Sequence, residues 1–367
     1  MNNITASSVI VGVDVHKYSH TAVALDAWGQ EKGKLEFTND NLPEYMDWLS
    51  SFCQKSDMLV ALEDINSYGT HLVRALTGSG FRIRYVPAIL TERERKQSTK
   101  RHKSDLVDAR RVGKVILTKY EETLPAKESI ADEAELVTAQ TLNLLLMERR
   151  DLVKQKTILK NQLHALLHQY YGDHYADNFS KPFHKKAIAW YQSDLMARRK
   201  QGDVSAREQI LGEGICRRLH RLVMHEEQIF SISKDIEKIG ASAPSVVALS
   251  EKLHGCGMIT SCSIMAEVTT IKRFNSKDKL AMYSGVAPTE RSSGSHNKLH
   301  TNPFGNRRLN KALHVIALSQ IACKGDDRGK VYYQRKIKEG KTKLWALRCL
   351  KRQIANQVFK ILKENTT

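Results

Sequence analysis

Cysteine is sparse and scattered, at residues 53, 216, 256, 262, 323 and 349, with no CxxC pair among them. That spacing excludes a zinc ribbon and a disulfide framework, and buried reduced thiols are the simpler reading. Seven prolines and twenty glycines in 367 residues leave little room for long disordered tracts. No apolar run approaches the ~18–20 residues that a bilayer span requires. The opening MNNITASSVIVGVD lacks a basic-then-apolar leader, so the expectation is a soluble cytoplasmic protein with no membrane partner. Acidic residues are also in deficit: 40 Asp and Glu stand against 58 Lys and Arg, a formal net charge of +18. Beyond residue 270 there are 22 basic and 6 acidic residues, so nearly all the excess sits in the C-terminal quarter. An imbalance of this kind points to a polyanionic partner, with nucleic acid ahead of a membrane surface.

Residues 1–128 read as a mixed sheet with helices. VIVGVDV (9–15), HTAVALDA (20–27) and GKLEFTN (33–39) predict an antiparallel meander. NLPEYMDWLSSF (41–52) predicts a helix, with Pro43 tolerated in its first turn. MLVALED (58–64) is a buried strand, YGTHLVRALTGSG (68–80) a helix closed by glycines, and FRIRYVPA (81–88) a last strand. SDLVDARRVGKVIL (104–117) is a helix with Ser104 as its cap. The order βββ-α-β-α-β-α is that of the ribonuclease H fold.

Residues 129–244 read as a helical, coiled-coil-like arm. Over 130–170 apolar residues recur at three- and four-residue steps between charges, 171–205 reads as polar and loop-rich, and 206–240 resumes as helix. An antiparallel hairpin is the simplest arrangement, paired either within one chain or between two. Residues 245–367 read as a basic, mostly helical segment. There EKLHGCGMITSCSIMAEV (251–268) sets a glycine-x-glycine turn between two helices. NRRLNKALHVIALSQIA (306–322) is a basic helix, and TKLWALRCLKRQIANQVFKILKE (342–364) a last helix with its basic residues on one side. The fold class expected is thus multidomain, α+β followed by α.

The chemistry concentrates in four acids. Asp14 sits among apolar neighbours in VGVDVHK, where a carboxylate needs a partner or a cation to offset desolvation. Glu63 ends the fourth strand in VALED, next to Asp64, which strand alternation turns to the opposite face. The first and fourth strands of a ribonuclease H sheet are neighbours, so Asp14 and Glu63 converge. Asp105 and Asp108 in HKSDLVDARR (102–111) are three apart and share a helix face. Four gathered carboxylates repel one another unless divalent cations join them, and hard oxygen donors suit Mg²⁺ or Mn²⁺. Two such ions can activate an attacking oxygen and stabilise a departing one in phosphodiester transfer. Lys100, Arg101, Lys103, Arg110 and Arg111 then serve as phosphate holders. Plainer readings pair Asp108 with Arg110 or Arg111, make Asp105 a helix-dipole acid, and leave His16 and His102 as surface residues.

GVDVHK, ALEDINSYG and KSDLVDAR, together with LHGCGMITSCSIMAEV, YSGVAPTERSSGS and the NRRLNKALH helix, resemble the DEDD recombinases of bacterial insertion sequences. That group includes Piv-type DNA invertases and bridge-RNA-guided transposases, and the resemblance covers most of the chain. It implies a RuvC-like domain whose metal site is Asp14, Glu63, Asp105 and Asp108. It also implies a serine nucleophile in the S-G-S motif after a G-x-x-P segment, which in GVAPTERSSGS is Ser293, with Ser292 and Ser295 as rivals. LHGCG resembles a helix-hairpin-helix turn in which Gly255 and Gly257 grip a phosphate, although His254 replaces a frequent proline and a plain tight turn gives the same pattern. Arg291, Lys298, Arg307, Arg308 and Lys311 complete the nucleic-acid contacts. The resemblance further implies a DNA substrate, a structured guide RNA, a homodimer or homotetramer, and a place at the bacterial nucleoid. Two other functions compete: a RuvC-like junction nuclease with no serine intermediate, and a nucleic-acid-binding protein whose acids are structural.

Overall fold

The computed structural model describes residues 4–63, 68–97, 104–173, 175, 177, 179–201, 204–293, 296–301, 305–323 and 328–365. Its residues divide into two compact units. One comprises Met1–Ala139, Glu251–Cys256 and Glu267–Thr367; the other comprises Gln140–Ser250 and Gly257–Ala266. The N-terminal sheet domain and most of the basic C-terminal segment therefore belong to the same unit, whereas the sequence suggests three successive blocks.

The sheet contains β1 (Val9–Val15), β2 (His20–Leu25), β3 (Glu31–Phe37), β4 (Met58–Leu62), β5 (Arg82–Tyr85) and β6 (Leu124–Pro125), in the order β3-β2-β1-β4-β5-β6. The first three strands form the expected antiparallel meander, and β4 lies parallel to β1 with Val13 opposite Leu62. Helices α1 (Leu42–Ser50), α2 (Thr70–Gly78), α3 (Ala88–Gln97) and α4 (Asp105–Lys119) complete this domain. Strand alternation sorts the core. Val9, Val11 and Val13 of β1, with Met58, Val60 and Leu62 of β4, pack on Leu42, Tyr45 and Leu49 of α1 and on Leu72, Val73 and Leu76 of α2. Ile10, Leu59 and Ala61 face the other way, against Leu90 of α3 and Val112, Val115 and Ile116 of α4. Each fully buried Val, Leu, Ile or Met side chain among these contributes about 1.5–3 kcal/mol.

Gly12 lies at the crossing of β1 and α4. A Cβ there would stand 2.1 Å from the Ala109 carbonyl oxygen and 2.4 Å from the Gly113 nitrogen. Gly113 in turn faces Leu25 and the Gly12 backbone. Two glycines let strand and helix backbones touch, which seats the first turn of α4 over the end of β1.

In the second unit α5 (Glu133–Tyr171) and α7 (Ala206–Ala241) pair within one chain. Arg149 Nε donates to Ser233 Oγ at 2.8 Å, Lys156 and Glu226 pair at 3.1 Å, and Arg218 Nε donates to Gln162 Oε1 at 3.2 Å, an antiparallel register. The interval expected to be loop-rich, 171–205, instead contains α6 (Lys185–Gln201). Its Ala187, Ile188, Tyr191 and Leu195 are buried against Leu163 and Leu167 of α5 and Ile215, Leu219 and Leu222 of α7. That stripe is interspersed with basic and polar residues, which made the interval read as polar. A capping box, Ser205 with Glu208, opens α7.

The remaining elements are α8 (Pro244–Lys252), α9 (Met258–Val268), α10 (Lys277–Tyr283), β7 (Pro288–Ser293), β8 (His296–Thr301), α11 (Arg307–Ala322), α12 (Arg328–Lys338) and α13 (Lys343–Glu364). The β7–β8 hairpin and α12 are additions to the helical segment expected. Along α13 the basic residues do not all share one side, because Lys351 is only 9% exposed. Among the described residues no helix is long and apolar enough to cross a membrane.

Candidate active site

Asp14 and Glu63 reach the same point through register. The pairing ends with Val13 opposite Leu62, and Asp14 and Glu63 each follow by one residue, Glu63 just past the end of β4. Alternation puts both on the face of Ile10, Gly12, Leu59 and Ala61, which is the face that α4 covers. Ser104 caps α4 by accepting from the Val107 N–H, so Asp105 and Asp108 lie in its first turn, where the helix dipole favours negative charge. The Gly12–Gly113 crossing brings that turn over the strand ends.

The carboxyl groups interact. Burial pushes the Asp14 carboxyl above its ordinary range; the charges of Asp108 and Asp105 add to the rise and His16 opposes it. Burial also raises Glu63, with Asp14 and Asp108 adding to the rise and Thr91 offsetting it in part. Each group is thus held towards its protonated form, first by burial and then by the neighbouring carboxylates. Arg111, 6% exposed, donates from Nη1 to Asp108 Oδ1 at 2.6 Å. His16 Nε2 stands 3.3 Å from Asp14 Oδ2 and 3.5 Å from Asp105 Oδ1.

A second constellation surrounds the base of the β7–β8 hairpin. Asn306 caps α11 by accepting from the Arg308 and Leu309 N–H groups at 3.0 and 2.9 Å. Its Nδ2 donates to Glu267 Oε2 at 2.7 Å and to the Tyr283 hydroxyl at 3.1 Å. Arg308 Nη1 lies 3.3 Å from Glu267 Oε1. Asn310 Nδ2 donates to the Ser284 carbonyl at 2.8 Å, and Lys351 Nζ donates to Asn310 Oδ1. Burial pulls the Lys351 ammonium down to about 8, with Arg348 adding to the fall. Gly285 adopts φ +69, and a Cβ on Gly305 would stand 2.2 Å from its Cα, so the two ends of the hairpin segment meet backbone to backbone.

Two family models match this architecture. Residues 11–172 match one described as a transposase of the DEDD, IS110 type, and residues 248–334 match one described as the transposase IS116/IS110/IS902 family. Together they span most of the 367 residues. The chain belongs to the IS110 family of transposases. Its relatives include the insertion element IS110 43.6 kDa protein of Streptomyces coelicolor, 26% identical over 98% of this chain and 95% of the relative. The insertion element IS116 44.8 kDa protein of Streptomyces clavuligerus is 24% identical over 96% and 94%. The insertion element IS900 42 kDa protein of Mycobacterium paratuberculosis is 23% identical over 98% and 97%.

Within this IS110-family chain Asp14 and Asp105 lie in ligand range of each other and of His16, which is exposed beside them, while Glu63 and Asp108 interact with Asp14 through charge. Lys100, Arg101, His102 and Lys103 lie outside the described residues, as do Asp64, Gly294 and Ser295. Ser292 and Ser293 end β7, and Arg291 is in register with Lys298 across the hairpin; these residues are described by their backbone alone. The two arginines beside the acids are engaged internally. Arg111 is a buried partner of Asp108, and Arg110 pairs with Glu31. Arg307 and Lys311 are exposed, while Arg308 is tied to Glu267. At the LHGCG turn Gly255 has φ +79 and packs against Ser319 and Gln320 of α11, and Gln320 Nε2 donates to the His254 carbonyl. Gly257 has open space around it. Sequence reasoning missed the glycine seam, although a lone glycine inside an apolar strand is its usual mark. It also missed Glu267 and Lys351, whose partners are distant in sequence.

Proposed function

We propose that this chain is a DNA-cutting and DNA-joining transposase of an insertion element. Its RuvC-like domain, built on a ribonuclease H fold, would work with a serine on the β7–β8 hairpin. The observation that supports this reading lies at the C-terminal ends of the central strands β1 and β4, where Asp14 and Asp105 are in ligand range of each other and Glu63 and Asp108 interact with Asp14 through charge. Hard carboxylate donors whose Asp14 and Glu63 members are raised by burial and mutual repulsion fit a divalent cation, Mg²⁺ or Mn²⁺. Asp14, Glu63, Asp105 and Asp108 would hold it. Bound there, the cation neutralises charge on the phosphate and lowers the pKa of an oxygen at the site.

The rest falls to the chain's own groups. The Ser293 hydroxyl attacks the phosphorus, its Oγ–P bond forms as one P–O bond to DNA breaks, and the departing DNA oxygen takes a proton. A DNA hydroxyl then attacks the phosphoserine and frees Ser293. Because the phosphodiester bond energy is conserved in the adduct, no high-energy cofactor is needed. Arg307 and Lys311 hold DNA phosphates, and Gly257 leaves room for a backbone approach. The net charge of +18 supports a second polyanion, a structured guide RNA. Exposed Leu144, Met147 and Ile158 on α5, with Met224 and Phe230 on α7, support a homodimer or homotetramer.

The test incubates purified protein with Mg²⁺, RNA transcribed from the element's flank and DNA carrying the element ends, and resolves covalent protein–DNA adducts on a denaturing gel. Adducts in the wild type that vanish in Ser293→Ala and Asp105→Asn are expected. Cleavage without adducts that persists in Ser293→Ala would retire the serine and leave a metal-dependent nuclease.

A further inference from the structure

His16 occupies a position that the carboxylates alone do not explain. It follows β1 directly, two residues after Asp14, and its N–H is bonded to the Ser19 carbonyl at 3.2 Å, which fixes the tight turn into β2. Even-numbered positions of β1 face α4, so the turn delivers the imidazole to the acid side. There Nε2 lies 3.3 Å from Asp14 Oδ2 and 3.5 Å from Asp105 Oδ1, and the three donor atoms all lie within 4.8 Å of one another. A charge-assisted hydrogen bond between imidazole and carboxylate would be shorter, about 2.7–2.9 Å. Two donors bound at right angles to one cation with bonds of about 2.1–2.2 Å stand about 3.0 Å apart. The His16–Asp14 contact is a hydrogen-bonding ion pair whose 3.3 Å separation lies within a few tenths of an ångström of the second spacing, and the Asp105 contact lies about half an ångström beyond it. The three groups are therefore close enough to share one cation. His16 is half-exposed, so a cation and its waters can reach them.

We propose that His16 is a ligand of the cation site in this chain, together with Asp14 and Asp105, and that its nitrogen makes the site prefer Mn²⁺ to Mg²⁺. The inference rests on the metal reading of the four acids given above and deepens it. Mg²⁺ binds oxygen donors and keeps its waters, whereas imidazole nitrogen suits the first-row transition cations. A mixed shell of two carboxylates and one imidazole therefore raises Mn²⁺ affinity more than Mg²⁺ affinity.

The probe is Mn²⁺ itself, added to chelator-treated full-length protein. Free Mn²⁺ is counted from its room-temperature paramagnetic resonance spectrum, with and without competing Mg²⁺. Pulsed resonance then looks for ¹⁴N coupling from a bound imidazole. Wild type, His16→Gln and Asp14→Asn are compared after circular dichroism shows equal folding. The expected result is Mn²⁺ bound with imidazole coupling in the wild type. In His16→Gln the coupling disappears, Mn²⁺ affinity falls about tenfold or more and Mg²⁺ affinity stays nearly unchanged. If wild type binds Mn²⁺ through Asp14 without nitrogen coupling and His16→Gln behaves identically, the inference is overturned while the carboxylate site stands. If wild type binds no Mn²⁺, or binds it equally well in Asp14→Asn, the metal reading itself fails.

Discussion

The central strands that end beside Asp14 and Glu63 are held by apolar packing: Ile10, Leu59, Ala61, Val112 and Val115, with backbone against backbone at Gly12 and Gly113. Where the β7–β8 hairpin leaves the C-terminal segment, its base is held by polar groups: Asn306, Glu267, Arg308, Tyr283, Asn310 and Lys351. The acids are thus seated by a core that responds little to solvent conditions. The hairpin is tethered by hydrogen bonds and charges, which respond to pH and salt. A strand-end carboxylate cluster needs fixed spacing to share a cation, whereas a short hairpin can change its angle by adjusting a few polar contacts.

The contrast can be broken most forcefully at the acids. Asp105→Asn or Asp14→Asn should lower DNA strand cleavage by roughly 10²–10³-fold, the cost of losing one charge-stabilising group. Thermal unfolding should hardly change, because the mutual repulsion of the carboxyls is relieved. Next comes the seam. Gly12→Ala drives a Cβ into the Ala109 carbonyl and should cost about 3 kcal/mol or prevent folding, as read by urea denaturation. Gly305→Ala meets Gly285 just as closely, yet the hairpin base can give way, so strand joining should suffer more than the melting temperature. If the two glycines cost equal stability, the distinction between packed and tethered regions is wrong.

Smaller effects sharpen it. Asn306→Ala removes the cap of α11 and a partner of Glu267, and should cost about 1 kcal/mol in chemical unfolding. Lys351 supplies the pH test. Its proton is lost near pH 8 in the folded chain and near 10.5 in the unfolded chain, so between these values the unfolded state binds more protons. Wild-type stability should therefore climb from pH 8 to 10.5 relative to Lys351→Met, and the two should run parallel below pH 8. Parallel melting curves across the whole range would show that Lys351 is not buried as a cation at neutral pH.

Much of the sheet domain was legible in the sequence because apolar alternation and helix caps are local signals. The meander and the Ser104 cap followed from residues a few positions apart, and the β1–β4 neighbourhood from the strand order of the ribonuclease H fold. The placement of Asp14 near a strand end and of Asp105 and Asp108 in a helix first turn was readable because strand ends and helix starts carry local signals. α6 was hidden because its apolar stripe is diluted by Lys185, Lys186, Arg198 and Arg199. The hairpin was hidden because PTERSS and HNKLHT carry no apolar alternation. The engagement of Arg111 by Asp108 was one of two open pairings, and only packing decides which arginine turns inward. Lys351 had no readable signal at all, since its partner Asn310 lies 41 residues earlier.

The touching backbones of Gly12 and Gly113 carry one more implication. The distance from the strand acid to the helix acids is measured through main chain, with no side chain inserted between strand and helix at that crossing. Main-chain contact has no rotamers, so the spacing does not breathe with the repacking that follows a core substitution. A chain built this way keeps the same gap between its carboxylates when a surrounding aliphatic residue is exchanged, whatever that exchange costs in stability. The two residues with no side chain are the ruler, and they are the ones it can least afford to change.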